Sequence, residues 1–309
     1  MNQIKSIIVI AGPTAVGKTA MSIAVAKKLN CPVISADSRQ FFKEMNIGTA
    51  KPSAEEMQGV QHFFIDSHSI TEEYNVGKYE ADVILLLEKL FQSHDYVILV
   101  GGSGLYIDAV CKGFDNLPEA DSETRNKINA LLESKGIEGL QELLKELDPV
   151  YYNQVDINNP QRMSRALEVC ITSGKTFSEL RSGKSTKRNF NTIKIGLNTS
   201  RELLYSRINN RVDDMLKNGL LEEVRGLIPY KHLNALQTVG YKELFAYLEN
   251  LTDFNTAMEL LKQNTRRFAK RQLTWFRRDE EMRWFDPNEQ EAIFEYLDIQ
   301  LKKNFKKPL

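Results

Sequence analysis

An α/β fold is the reading that this 309-residue sequence supports: a parallel sheet wrapped by helices, with an all-helical insertion. Three observations predict it. Short apolar runs at 7–10, 33–36, 96–100 and 192–197 alternate with segments of helical apolar spacing, the order that builds a parallel sheet with crossover helices. The stretch Gly12, Pro13, Thr14, Ala15, Val16, Gly17, Lys18, Thr19 follows the first run directly and opens a helical pattern. From 120 to about 180 the strand signal vanishes and only helical patterns remain. The predicted division is a core at 1–117 and 190–309 and a helical insertion at 118–189.

Each element has a local reason. Segments 20–29 and 80–92 place apolar residues three and four apart, on one helical face. In the insertion, Asp121 or Ser122 caps a helix running to 132, and 137–147 forms a second. Asn159 and Pro160 precede a third at 161–172, which Gly174 stops. The polar, basic stretch 181–188 reads as a flexible return to the sheet. After the strand at 192–197, helices are expected at 201–217, 220–227, 241–248, 254–278 and 289–302.

Composition narrows the setting. Lys plus Arg and Asp plus Glu both total 41, so any nucleic-acid binding must rest on local patches and not on net charge. Cys31, Cys111 and Cys170 are far apart and show neither metal nor disulfide spacing, which predicts a reducing, cytoplasmic compartment. The first apolar run leads straight into the glycine loop and reads as a core strand, not a signal peptide. No apolar run approaches the roughly 20 residues of a membrane helix.

The chemistry-bearing segments begin with the glycine loop, whose spacing fits G-x-x-x-x-G-K-[ST]. Its backbone N–H groups and the helix behind them form a nest for phosphate oxygens. Lys18 reaches the distal phosphate and Thr19 offers a hydroxyl to Mg²⁺. The motif specifies two or three linked phosphates, not the molecule that carries them. Asp37, in Ser35-Ala-Asp-Ser-Arg-Gln40, follows the second strand and so faces the same crevice. It is either a functional carboxylate or a turn aspartate. Gly101-Gly-Ser-Gly104 ends the third strand where many P-loop ATPases carry an acid, and Ser103 offers a hydroxyl instead. That departure argues against nucleotide hydrolysis, unless the glycines serve only a tight strand-to-helix turn.

Three cationic features follow. Gln161, Arg162 and Arg165 lie on neighbouring turns and can read an anion, unless Arg165 simply pairs with Glu168. Arg211 lies at the edge of an apolar stripe and needs an anionic partner, either Asp214 or a substrate phosphate. In 266–278 six residues of thirteen are basic and none is acidic, a density that points to a polyanion. A helical wheel puts Phe254, Ala257, Met258, Leu261, Phe268, Ala269, Trp275 and Phe276 on one side. Lys262, Arg266, Arg267, Lys270, Arg271, Arg277 and Arg278 fall on the other.

Taken together, the chain resembles the tRNA dimethylallyltransferases, or tRNA isopentenyltransferases. The matching segments are GPTAVGKT at 12–19, SADSRQ at 35–40, IGTAKPS at 47–53 and GGSGLY at 101–106. Further on come NNPQRMSRALEV at 158–169, SGKTFSEL at 173–180, RINNRVDDMLKNGLLEEV at 207–224, QTVGYKE at 237–243 and RRFAKRQLTWFRR at 266–278. They run in family order and span nearly the whole chain.

The resemblance implies a P-loop NTPase-like core and transfer of a dimethylallyl group from dimethylallyl diphosphate to N6 of the adenosine 3′-adjacent to the anticodon (position 37) in tRNA. The loop would then hold the donor's diphosphate. Lys18, Arg211 and Mg²⁺ near Thr19 would stabilise it as it departs. Asp37 would take the proton from the amine. Ser103, where the family usually has Thr, would be the second catalytic residue, its hydroxyl kept and a methyl lost. Asp37, Ser38, Arg39, Gln40, Ser103, Arg125, Gln161, Arg162, Arg165, Gly240, Tyr241, Lys242, Lys270, Arg271 and Arg277 would meet the RNA. The insertion would clamp the anticodon stem-loop, with the base turned out into the crevice. A monomer of bacterial type, ending soon after Lys307 without a zinc-finger module, is the expectation. The rival readings are a P-loop kinase of a small metabolite, a prenyltransferase acting on free adenine nucleotides, and a non-catalytic RNA-binding module.

Overall fold

A computed structural model describes residues 4–113, 115, 117–181 and 186–304. Among these, six strands form one sheet: β1 (Ser6–Ala11), β2 (Val33–Ser35), β3 (His62–Phe63), β4 (Tyr96–Gly101), β5 (Asn191–Leu197) and β6 (Arg283–Phe285). All neighbours are parallel, in the order β3-β2-β4-β1-β5-β6. The two edge strands, of two and three residues, are too short to show a period in sequence and were not predicted.

Helices α1 (Lys18–Leu29), α2 (Ala54–Met57), α3 (Val76–Leu90) and α4 (Gly104–Lys112) connect the first strands. Then come α5 (Ser122–Leu147), α6 (Pro149–Tyr152), α7 (Pro160–Ser173) and α8 (Phe177–Leu180). After β5 follow α9 (Arg201–Lys217), α10 (Leu220–Gly226), α11 (Tyr241–Leu248) and α12 (Phe254–Phe276), with α13 (Gln290–Asn304) after β6. Helix α3 begins four residues before the expected 80, because the Asn75 side chain accepts the N–H groups of Gly77 and Lys78. Among the described residues no helix is long and apolar enough to cross a membrane.

Alternation along β1 sends its side chains to two cores. Ile8 and Ile10 pack with Met21 and Val25 of α1, Leu204 and Ile208 of α9, and Ile293 and Leu297 of α13. Ile7, Val9 and Ala11 pack with Tyr79 and Val83 of α3, Val110 of α4 and Phe276 of α12. Both faces are therefore covered, as a parallel sheet requires. A third apolar cluster, with Phe41, Met45, Leu220, Leu236, Tyr241 and Leu261, seats the segment after Asp37 against α10, α11 and α12. Polar burial in the sheet is paired: Lys194 of β5 meets Asp279 at 2.8 Å and Glu281 at 2.7 Å.

The chain divides into two compact units, 1–112 with 188–309 and 113–187. The second is helical, built on Ile128, Leu140, Leu144, Met163, Leu167 and Cys170. Its first long helix is two runs meeting at Gly136, whose φ of 66° and ψ of −160° fall outside helical space. Buried Asp148 braces it, accepting the N–H of Tyr151 and the N–H and hydroxyl of Ser178. Residues 182–185 of the basic return expected at 181–188 lie outside the described residues, as does the chain end after 304.

Candidate active site

Strand order decides which loops meet. Since β4 lies between β2 and β1, the turn after β4 is flanked by the loops after those two strands. The glycine loop follows β1, Asp37 follows β2 and Ser103 follows β4. Ser103 Oγ accepts the Ser38 N–H at 2.9 Å, which ties the third loop to the second. Asp37 Oδ1 accepts the Arg39 N–H at 2.9 Å, so the carboxylate is fixed by its own turn. Asp37 is therefore a turn aspartate, with its carboxylate near enough to Lys18 and Arg211 to act on both.

The glycines are there for close approach. A Cβ on Gly12, at φ 153°, would lie 2.5 Å from the Leu197 carbonyl oxygen. One on Gly101 would lie 2.1 Å from the Ala36 oxygen, and one on Gly104 would lie 2.2 Å from the Trp275 ring. In Gly101-Gly-Ser-Gly104 it is thus the protein's own strands and helix α12 that come close. The segment is also a strand-to-helix turn that starts α4, with the Ser103 carbonyl accepting the Tyr106 and Ile107 N–H groups.

Charge in the crevice is unbalanced. Lys18 Nζ donates to the Pro13 carbonyl at 2.7 Å. Burial pulls its ammonium down to about 8; Asp37 opposes that fall and the Arg211 guanidinium adds to it. Arg211 is likewise lowered by burial, with Asp37 and then Glu56 opposing. Its guanidinium lies 3.4 Å from Thr14 Oγ1 and 3.5 Å from the Ala50 carbonyl. Asp214 instead bonds Lys217, at 3.4 Å. Two desolvated cations thus stand beside a phosphate-type loop, both facing Asp37 and Arg211 also facing Glu56, an arrangement suited to an anion. Arg207 donates to the Val16 carbonyl at 3.4 Å and, with Ala15, Gly17, Pro287 and Asn288, lines a cleft of about 410 Å³.

Among the described residues no group of three or more His, Cys, Asp or Glu side chains forms a metal site. The donors beside the loop are the partly buried Thr19 hydroxyl and the Asp37 carboxylate. Hard oxygen donors this few fit Mg²⁺ carried largely by a ligand's phosphates and water.

Several expected contacts change. Tyr241 is fully buried and its hydroxyl donates to Glu223 at 2.7 Å, so its side chain does not face RNA. Gly240 is buried as well, at φ 97°, and only Lys242 of that trio is exposed. The Gln40 amide is engaged within the protein, accepting from Ser35 Oγ and donating to the Thr49 and Ala50 carbonyls, each at 3.2 Å. Burial lowers the Arg39 guanidinium, against the opposing effect of Tyr106 and Asp37, so Arg39 belongs to the crevice more than to the surface. In the helical unit Arg165 pairs with Glu168 at 3.2 Å, while Gln161 and Arg162 are exposed and Arg125 is half-buried.

The wheel for α12 needs two revisions. Phe254 and Phe268 are 37% and 38% exposed, because the buried stripe runs through Ala257, Met258, Leu261, Ala269, Gln272 and Phe276. Lys262 meets Asp213 of α9 at 2.7 Å and Arg266 meets Asn209 at 2.7 Å, which removes both from the free cationic face. Lys270, Arg271 and Arg277 remain exposed.

Two residues went unforeseen. The Glu223 carboxylate accepts the N–H groups of Asn46, Ile47 and Gly48 at 3.0, 2.7 and 3.0 Å. It thereby holds the loop whose Ala50 carbonyl faces Arg211. Gln272 joins two of the crevice loops; a polar residue inside an apolar stripe was its only sequence signal.

A model of the IPP transferase family matches residues 40–279. A tRNA dimethylallyltransferase of Christiangramia forsetii is 53% identical, over 94% of this chain and 97% of its own. The chain belongs to the tRNA dimethylallyltransferase family. The full-length tRNA isopentenylpyrophosphate transferase of Bacillus halodurans superposes with a TM-score of 0.73 at 36% identity, covering 98% of each chain. A eukaryotic dimethylallyltransferase caught acting on tRNA gives 0.71 at 31% identity, over 88% of this chain and 69% of its own. This dimethylallyltransferase-family chain is therefore an enzyme with a P-loop-like α/β core, and the kinase reading is not favoured.

Proposed function

We propose that the protein transfers the dimethylallyl group of dimethylallyl diphosphate to N6 of the adenosine next to the anticodon, position 37 of tRNA, releasing diphosphate. The observation that carries this is the pair of desolvated cations, Lys18 and Arg211, set at the glycine loop against Thr14 and the Pro13 and Ala50 carbonyls, with Asp37 the nearest opposing charge to both. An anion that gains charge as it leaves is what such a pair stabilises best.

In this reading N6 attacks C1 of the prenyl group and the C1–O bond breaks, its electron pair passing to the diphosphate. The N6 proton passes to Asp37. Lys18, Arg211 and the loop N–H groups hold the departing oxygens. Thr19, with the donor's phosphates, would hold Mg²⁺, which would supply further positive charge. Ser103 keeps the Asp37–Ser38 turn in place through the Ser38 N–H. The turn after β4, Gly102-Ser-Gly104, carries no carboxylate, in keeping with a reaction that activates no water.

Lys270, Arg271 and Arg277 on α12, with Ser38, Arg39 and Lys242, form the core's RNA-facing set. Arg125, Gln161 and Arg162 serve the anticodon stem-loop from the helical unit, while Arg165 is held by Glu168. The protein works as a monomer in the cytoplasm. Incubation with tRNA, Mg²⁺ and the donor, followed by mass analysis of the nucleosides, tests the reading. Prenylated adenosine beside the anticodon supports it, and prenylation of free AMP alone overturns it.

A further inference from the structure

Helix α12 presents cations to solvent but sends one polar side chain inward. Gln272 is 7% exposed, between Ala269 and Phe276 on the buried stripe. Its Oε1 accepts the Thr14 N–H at 2.9 Å, and its Nε2 donates to the Gly102 carbonyl at 3.0 Å. These partners stand 258 and 170 residues away in sequence, on the loops after β1 and β4. Contact is close enough that a Cβ on Gly102 would lie 2.2 Å from Gln272 Nε2.

We propose that Gln272 is a positioning residue for the transfer, fixing the phosphate loop against the Ser103 turn so that the leaving group and Asp37 keep their spacing. The proposal rests on the functional reading above.

The chemistry is selective for this side chain. One end must accept and the other donate, within a rigid planar group. Methionine matches the length but does neither. Ionised glutamate still accepts from Thr14, yet sets a second acceptor against the Gly102 carbonyl. Protonated glutamate restores both bonds. Gln272 touches neither phosphate nor base in this reading, so its loss acts through Thr14, on the loop beside Arg211, and through Gly102, beside Ser103.

The test compares Gln272→Met and Gln272→Glu with the wild type, using the full chain and Tm as a fold control. For Gln272→Met we expect kcat/KM for transfer to fall by about a hundredfold, as ångström-scale misplacement does. Affinity for inorganic diphosphate should fall with it, while tRNA affinity without donor stays unchanged. For Gln272→Glu the activity relative to wild type should rise as pH is lowered, because the protonated acid can donate again. Unchanged kinetics and diphosphate affinity in Gln272→Met, or a Gln272→Glu ratio that is flat with pH, overturns the proposal. So does a loss of activity that only tracks a lost Tm. A wild type that binds diphosphate but never prenylates RNA overturns the functional reading instead, and the diphosphate comparison still decides the role of Gln272.

Discussion

The crevice above the sheet and the outer face of α12 are both cationic, and they are built in opposite ways. In the crevice the charges are few, desolvated and held: Lys18 by the Pro13 carbonyl, Arg211 beside Thr14 and Ala50, Asp37 by its own turn. On α12, Lys270, Arg271 and Arg277 extend into solvent. The difference teaches where each task lies. A fixed, dry charge has a large effect on one bond. Exposed cations each contribute little and together set a salt-dependent affinity for a polyanion.

That contrast can be broken from its strong end. Asp37→Ala removes the proposed proton acceptor, and transfer should fall by about 10³-fold, within the range for general bases, with tRNA affinity nearly unchanged. Normal turnover in this variant would end the base assignment. Lys18→Met should weaken donor binding by about a hundredfold, read by calorimetry with inorganic diphosphate. Its tRNA salt dependence should match the wild type.

The crevice should also titrate where the α12 face does not. Bound diphosphate favours the Lys18 ammonium, which in the free protein loses its proton near 8. Donor affinity should therefore be level below pH 8 and weaken above it, by up to about tenfold per pH unit. Lys18→Met should flatten that profile, and a wild-type affinity constant to pH 9.5 would contradict it. At the weak end, the double change Lys270→Ala and Arg271→Ala should weaken tRNA binding several-fold and lower the salt slope by about two. Donor KM stays as it was. An unchanged salt slope would remove α12 from the interface.

Sequence legibility followed the same divide. The glycine loop, Asp37 and Ser103 could be read because their chemistry lies in local spacing after a strand. Four of the strands could be read as continuous apolar runs, because they are buried on both faces, and the long helices from the period that one-sided burial imposes. Strands β3 and β6 could not, being two and three residues long. Gln272 could not be read as a brace, since its partners are fixed only when α12 crosses two distant loops. Tyr241 was misplaced for a different reason. Its RNA contact was carried over from the family resemblance, whereas the fold packs Tyr241 over Gly48, where a Cβ would lie 2.6 Å from its ring.

The central claim is that the anion held by Lys18 and Arg211 is a leaving group displaced by an RNA amine and not by water. Counting diphosphate released against prenylated adenosine formed, with and without tRNA, tests it most directly. The account predicts one diphosphate per modified adenosine and none without RNA. Steady diphosphate release without tRNA, or turnover of ATP in its place, would contradict it.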